Sequence, residues 1–156
     1  MIIETIENQD VFSTKLKHIA FAINSNGLNE DGFAGKVSKS WPELNNLTFK
    51  IGSSLSKKIG GKTFHALVCH SLDENGWGAD QAKIIKNCFD SIDTEAPVAT
   101  IAIGTELMDR ISGANFQQIV YGMEMSKKKI VLYGATKAKV DFLLKEEREK
   151  RGFEEK

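Results

Sequence analysis

Apolar residues in this chain fall into short continuous runs, and between them lie stretches with a helical period. Ile19-Ala20-Phe21-Ala22-Ile23 and Val98-Ala99-Thr100-Ile101-Ala102-Ile103 are nearly unbroken. Runs of this length, bounded by turn formers, predict strands buried on both faces of a sheet. Lys129-Ile130-Val131-Leu132-Tyr133 predicts another. Residues 49–58 and 63–71 predict two strands joined through Gly60-Gly61, a hairpin signal. Ile2–Ile6 alternates weakly, as an edge strand does.

The helical stretches are equally legible. Phe33, Ala34, Val37 and Trp41 share one face, and Pro42 closes that segment. Asp80 opens a stripe of Ala82, Ile85, Phe89 and Ile92. Ser112 stands where it would cap a helix at about 113–126, with Phe116, Ile119, Val120 and Met123 at i, i+3, i+4 and i+7. A last helix starts near Thr136, packs through Val140, Leu143 and Leu144, and then turns highly charged. The charged run at 145–151 reads as a solvated face or frayed tail, and about 145–156 as a charged helix end or tail. The order β-β-α-β-β-α-β-α-β-α predicts a three-layer α/β/α sandwich around a mixed sheet, in one domain.

Composition narrows the function classes. The chain has 156 residues, with 41% apolar and 27% charged, as a globular domain should. Its formal net charge is zero, so no global field draws it to nucleic acid or an anionic membrane. No apolar run has the length of a spanning helix. The beginning, MIIETIENQD, is acidic where a signal peptide is basic. Two cysteines without close spacing suit a reducing compartment, and the expected location is cytoplasmic. Nothing in the sequence specifies an oligomeric state.

His65, Cys69 and His70 invite a metal-site reading, but the geometry of a strand opposes it. His65 and Cys69 would lie roughly 13 Å apart, and His70 would face the other way. Ligands of one zinc lie about 2.0–2.3 Å from it, so no metal is expected here. Cys88, beside Ile84 on a helix stripe, reads as a small core residue rather than a nucleophile. No Gly-x-Ser-x-Gly elbow or Walker A sequence is present. Trp41 reads as a core plug. Trp77, between Gly76 and Gly78, reads either as a cap on the sheet or as an exposed partner contact.

Two loops remain, each leaving a buried strand. Asn24 to Gly35 runs NSNGLNEDGFAG, and Gly104-Thr105 leads toward Ser112. Glycine turns and helix N-termini present free N–H groups to anions, although such glycines equally serve tight turns alone.

Taken together, Asp10-Val11, FAINSNGLNEDGFAGKV, VATIAIGTEL and KIVLYGATKAKVDFLL resemble the macro-domain family over nearly the whole chain, in order. The resemblance implies a mixed sheet between helices and a ligand such as ADP-ribose or a related nucleotide. It implies that Asp10, with Val11 beside it, meets the adenine, and that Asn24 touches the distal ribose. Gly32, Phe33, Ala34 and Gly35 would form a first phosphate loop, and Gly104-Thr105 would open a second that continues into Glu106 and Leu107. Tyr133 would stack on base or ribose, or close the core edge. Some members hydrolyse ADP-ribose derivatives, and Asn24 would then be the catalytic candidate, positioning water.

The chain departs from the family pattern at the phosphates. Phe21 replaces an asparagine, Glu30-Asp31 replaces glycines of the first loop, and Glu106 replaces a glycine of the second. Ala34 stands where one hydrolytic branch has an aspartate. A like charge 4 Å from a phosphate costs about 1 kcal/mol in water and about 4 at an effective dielectric of 20. Micromolar binding amounts to only about 8 kcal/mol. The direction of Glu106 therefore separates a nucleotide-binding domain from a macro fold that takes another ligand or acts through a protein surface.

Overall fold

A computed structural model of the chain describes residues 1–73 and 76–152, apart from the side chain of Met108. Six strands form one sheet: β1 (Ile2–Ile6), β2 (His18–Asn24), β3 (Ser54–Ile59), β4 (Lys62–His70), β5 (Val98–Thr100) and β6 (Ile130–Tyr133). Their spatial order is β1-β6-β5-β2-β4-β3. Every neighbouring pair is parallel except the β3–β4 hairpin. The helices are α1 (Gly32–Ser38), α2 (Gln81–Asp90), α3 (Leu107–Ile111), α4 (Phe116–Met125) and α5 (Lys137–Arg151).

Alternation along the strands divides the interior into two cores. Ile19, Phe21 and Ile23 of β2 join Phe64, Ala66 and Val68 of β4 against α1, Trp41 and Leu44. Ala20, Leu67 and Cys69 face the other way, against α2, α4 and α5. The three-layer α/β/α arrangement follows directly from that division. Helices α2 and α4 approach closely because residue 122 is glycine: a Cβ there would lie 2.4 Å from the Ala82 carbonyl oxygen. Asp80 and Thr136 cap α2 and α5 through side-chain bonds to the Lys83 and Lys139 amides.

Several predicted boundaries move. Strand β5 stops at Thr100 rather than Ile103, because Ile103 N–H turns back to the Ile101 carbonyl and Gly104 takes φ 93°. The strand predicted from residue 49 begins at Ser54, after a turn through Gly52 at φ 89°. Helix α1 ends at Ser38, so Trp41 lies beyond it, yet still packs in the core. Residues 107–111 form their own short helix, and α4 is capped by Asn115 instead of Ser112.

The charged run is not wholly solvated. Glu147 is buried, accepting bonds from Gln117 Nε2 at 3.0 Å and Arg151 Nε at 2.8 Å, while Arg151 lies over the Tyr121 ring. The end of that predicted tail, 153–156, lies outside the described residues, as does Asn75 of the loop before Trp77. Among the described residues, no helix is long and apolar enough to cross a membrane.

Candidate functional site

The carboxyl ends of the parallel strands converge on one edge of the sheet, the usual ligand position in such folds. Asp10 follows β1, Asn24 ends β2, His70 ends β4, Gly104–Glu106 follow β5, and Tyr133 ends β6. Two cavities open there. One, of about 380 Å³, is lined by Asp10, Val11, Phe12, Phe33, Thr105 and Tyr133 among others. The second, of about 490 Å³, is lined by Asn24, Glu30, Asp31, His70, Leu107 and Asp109 among others, with Ala34 also in its wall. Gly32 and Glu106 line both and form the partition between them.

Glu106 points into the cleft. A Cβ at Gly32 would lie 2.2 Å from Glu106 Oε2, and Phe33 N–H points at Oε1 across 3.5 Å. Glycine is favoured at position 32 by φ 62°, and it leaves room for the Glu106 carboxylate in this orientation. The carboxylate thus faces the Phe33 N–H, one of the amides expected to hold phosphate. Gly104 N–H donates to Asp109 Oδ2 at 3.2 Å. Thr105 directs both its N–H and its hydroxyl at the Ala102 carbonyl. The second loop therefore has its own partners for the donors expected to hold phosphate.

The first loop is held by asparagines. Asn24 Oδ1 accepts from the Asn26 and Leu28 amides, and its Nδ2 donates to the Leu28 carbonyl at 3.0 Å. Asn29 returns the support, accepting from Asn24 N–H at 2.8 Å and donating to the Leu44 carbonyl. Gly35 lines neither cavity. Its role is close packing, since a Cβ there would meet the Glu30 carbonyl oxygen at 2.3 Å.

At the other end, Asp10 caps a turn by accepting from Phe12 N–H at 2.9 Å. That turn lays Phe12 flat on Phe33, ring centroids 4.6 Å apart, to form an aromatic wall. Tyr133 is buried among core residues while still reaching the cavity. Phe21 lies wholly in the core, against Phe33 and Phe64.

Two residues that the sequence does not place in the site, Asp109 and His70, complete the second cavity. Burial pushes the Asp109 carboxyl up to about 6, the Glu106 charge adds to this, and the Gly104 amide opposes it. His70, stacked on Trp77 at 4.8 Å, is held down to about 4 by burial. Asp109 carried no sequence signal, because the predicted helix starts only at about residue 113 and 104–112 reads as a loop. His70 was weighed only as a metal ligand. Among the described residues, no group of three or more His, Cys, Asp or Glu is arranged to hold a metal ion. His65 instead bonds Ser56 and His18, at 2.6 and 2.9 Å. Cys88 and Trp77 are core residues.

No family model matches the chain, and no curated protein matches it. Solved structures do. A macrodomain of Mycobacterium tuberculosis DarG is 14% identical, with 87% of this chain and 99% of that one covered, at a TM-score of 0.62. A macrodomain protein from Streptomyces coelicolor gives 14% identity, 87% and 100% coverage, and 0.63. A Trypanosoma brucei macrodomain in complex with ADP-ribose gives 10% identity, 91% and 67% coverage, and 0.57. Against an alphavirus P23pro-zbd structure, at 14% identity and 0.60, the match covers 93% of this chain and only 24% of the other. The chain has the macrodomain fold.

Proposed function

We propose that this chain is a small-molecule binding module that reads an adenine nucleoside at its Asp10 end and disfavours a free diphosphate. One observation carries the reading: the chain's own carboxylates, Glu106 and Asp109, face the Phe33 and Gly104 amides where phosphate oxygens would bond. A diphosphate would have to displace both or accept their repulsion. The aromatic wall of Phe12 and Phe33 keeps a flat surface suited to a base, and the carboxylate of Asp10 suits an exocyclic amine.

A second reading has specific support. The Phe33–Glu106 contact is long, and the side chain of Glu106 is flexible. Rotated outward, Glu106 would leave the partition open to ADP-ribose, the ligand named for the trypanosomal protein of this fold. A hydrolytic reading fits less well. Both polar ends of Asn24 already hold its own loop, and Asp109 would be the better candidate to move a proton.

Calorimetric titration of adenosine and ADP-ribose into the wild type and Glu106→Gly decides between the first two. The proposal expects wild type to bind adenosine at least as tightly as ADP-ribose. It expects Glu106→Gly to raise ADP-ribose affinity about tenfold or more, with adenosine little changed. ADP-ribose binding clearly tighter than adenosine in the wild type would overturn it in favour of the second reading.

A further inference from the structure

The formal net charge is zero, but the charges are not evenly mixed. Asp10, Glu30, Asp31, Glu106 and Asp109 stand at the carboxyl ends of the parallel strands. Lysines gather at the other end. Lys15 and Lys17 lead into β2, Lys62 opens β4, Lys58 comes just before the end of antiparallel β3, and the three lysines at 127–129 lead into β6. Few acids accompany them. Asp93 and Glu95 precede β5, while Asp90 and Glu43 are already engaged by Lys86 and Lys57. Seven lysines against two acids leave this edge strongly positive, and a zero total does not cancel a field that is local.

The edge is one continuous surface. Lys128 Nζ donates to the Thr94 carbonyl at 2.9 Å, and Thr94 Oγ1 meets His18 Nε2 at 3.5 Å. His18 Nδ1 meets His65 Nε2 at 2.9 Å, and His65 Nδ1 meets Ser56 Oγ at 2.6 Å. This chain crosses from β6 through β5, β2 and β4 to β3, a span of roughly 19 Å at the spacing of neighbouring strands. Lys62 is fixed in a similar way, donating to the Thr14 and Leu16 carbonyls at 2.6 and 2.8 Å. Lys62 and Lys128 are both half-buried, and among the described residues no carboxylate lies within ion-pair distance of either. Carbonyls orient these two ammonium groups without neutralising them. Charges drawn partly out of water are normally paired, so the two form a preset place for an anion.

The chemistry of the surrounding residues narrows the anion. Apart from Met1 and Met125 at the β6 corner, no large apolar side chain there is exposed, so a lipid surface would find little to take in. These segments contain no Phe, Tyr or Trp on which an unpaired base could stack, and no arginine to grip a base edge. A row of lysine point charges suits a row of phosphates. We infer that the amino-end edge of the sheet, from the lysines at 127–129 across to Lys58, binds the phosphate backbone of a nucleic-acid duplex without reading its sequence. The cleft lies at the opposite ends of the strands, so its ligand has no part in this binding.

Fluorescence anisotropy of a labelled DNA duplex of roughly 20 base pairs, titrated with the full chain at several salt concentrations, is the test. Binding in the micromolar range is expected at about 50 mM salt, with a log–log salt slope of about −3.5, as about four phosphate contacts give. A duplex of unrelated sequence should bind within about twofold, and a single strand of equal length more weakly. Lys17, Lys58 and Lys129 are exposed and are replaced together as Lys17→Gln, Lys58→Gln and Lys129→Gln. That triple variant, with unaltered circular dichroism, should bind about thirtyfold or more weakly at low salt and flatten the slope by about 2–3. A second triple, Lys50→Gln, Lys139→Gln and Lys145→Gln, lowers the net charge equally at exposed positions away from this edge. It should stay within about twofold of wild type. Vesicles of about 30% phosphatidylserine in phosphatidylcholine supply the competing surface. Absence of duplex binding by folded protein at low salt would overturn the assignment. So would equal losses in the two triples, tighter binding of the single strand, or tighter binding to the vesicles than to the duplex.

Discussion

The two cavities that meet at Glu106 rest on ends of the same parallel sheet, yet they offer a ligand very different walls. On the Asp10 side the wall is aromatic, Phe12 on Phe33, and the charges are mixed because Lys36 lines it as well as Asp10. On the Asn24 side the wall is acidic, with exposed Leu28, Leu72 and Leu107 at its lip. The strands set where the cleft lies, and the loop residues set what it selects. A macrodomain fold therefore fixes the position of a ligand without fixing its charge.

The sharpest way to break this comparison is to remove the residue that shapes only one side. Asn24→Ala deletes the acceptor of the Asn26 and Leu28 amides and the donor to the Leu28 carbonyl. At about 1 kcal/mol for each bond, the loss should be about 2–3 kcal/mol. For a domain of this size that lowers Tm by roughly 5–10 °C. Thermal unfolding by circular dichroism reads it. Adenosine affinity should stay nearly constant, since Asn24 lines only the second cavity. An unchanged Tm would show that the loop does not depend on Asn24, and would return that side chain to the list of groups free to meet a ligand.

The fold was legible because it rests on patterns that are local. Ile19–Ile23 and Val98–Ile103 read as buried strands, and Asp80 and Thr136 as helix starts, because those signals lie within a few residues of what they control. Boundaries failed where backbone turns or tertiary contacts decided them. The turn after Thr100 is fixed by backbone bonds within 101–105, and Trp41 joins the core from outside its helix. The site was legible only as a set of positions. Glu106 was marked as decisive, but its direction depends on Gly32 lying opposite it, 74 residues earlier in the chain. Asp109 and His70 owe their altered acidity to burial, which no local pattern reports.

The next effect sharpens the account of the acidic side. Asp109 has a folded value of about 6 against an ordinary 3.8, so the folded protein holds this proton more tightly than the unfolded chain. Its ionisation therefore destabilises the fold, fully above pH 6 and not at all well below 3.8. Asp109→Asn keeps an oxygen for the Gly104 amide and removes the charge beside Glu106. Urea unfolding at pH 7 should show a gain on the order of 1–2 kcal/mol, allowing for screening of a half-buried group. The gain should shrink toward zero at pH 4. His65 and His70, both held down to about 4, destabilise the fold as pH falls below 6.5, but do so equally in both proteins. A gain that is independent of pH would mean that Asp109 is not strained by its charge.

The smallest effect tests the other side. Asp10 already accepts from Phe12 N–H through one oxygen, and under the proposed function its second oxygen would accept from an adenine amine. Asp10→Asn should preserve the turn, because the amide oxygen of asparagine caps it nearly as well. What changes is the ability to accept with a full charge. Adenosine affinity should fall by about threefold to tenfold, the worth of one charge-assisted bond at a partly exposed site. Inosine, which lacks the exocyclic amine, should bind wild type and variant alike. Parallel titrations of the two nucleosides measure this difference directly. Equal losses for adenosine and inosine would mean that Asp10 acts only by holding Phe12 on Phe33. The base would then be selected by the aromatic wall alone, and the two sides of Glu106 would differ in charge but not in base recognition.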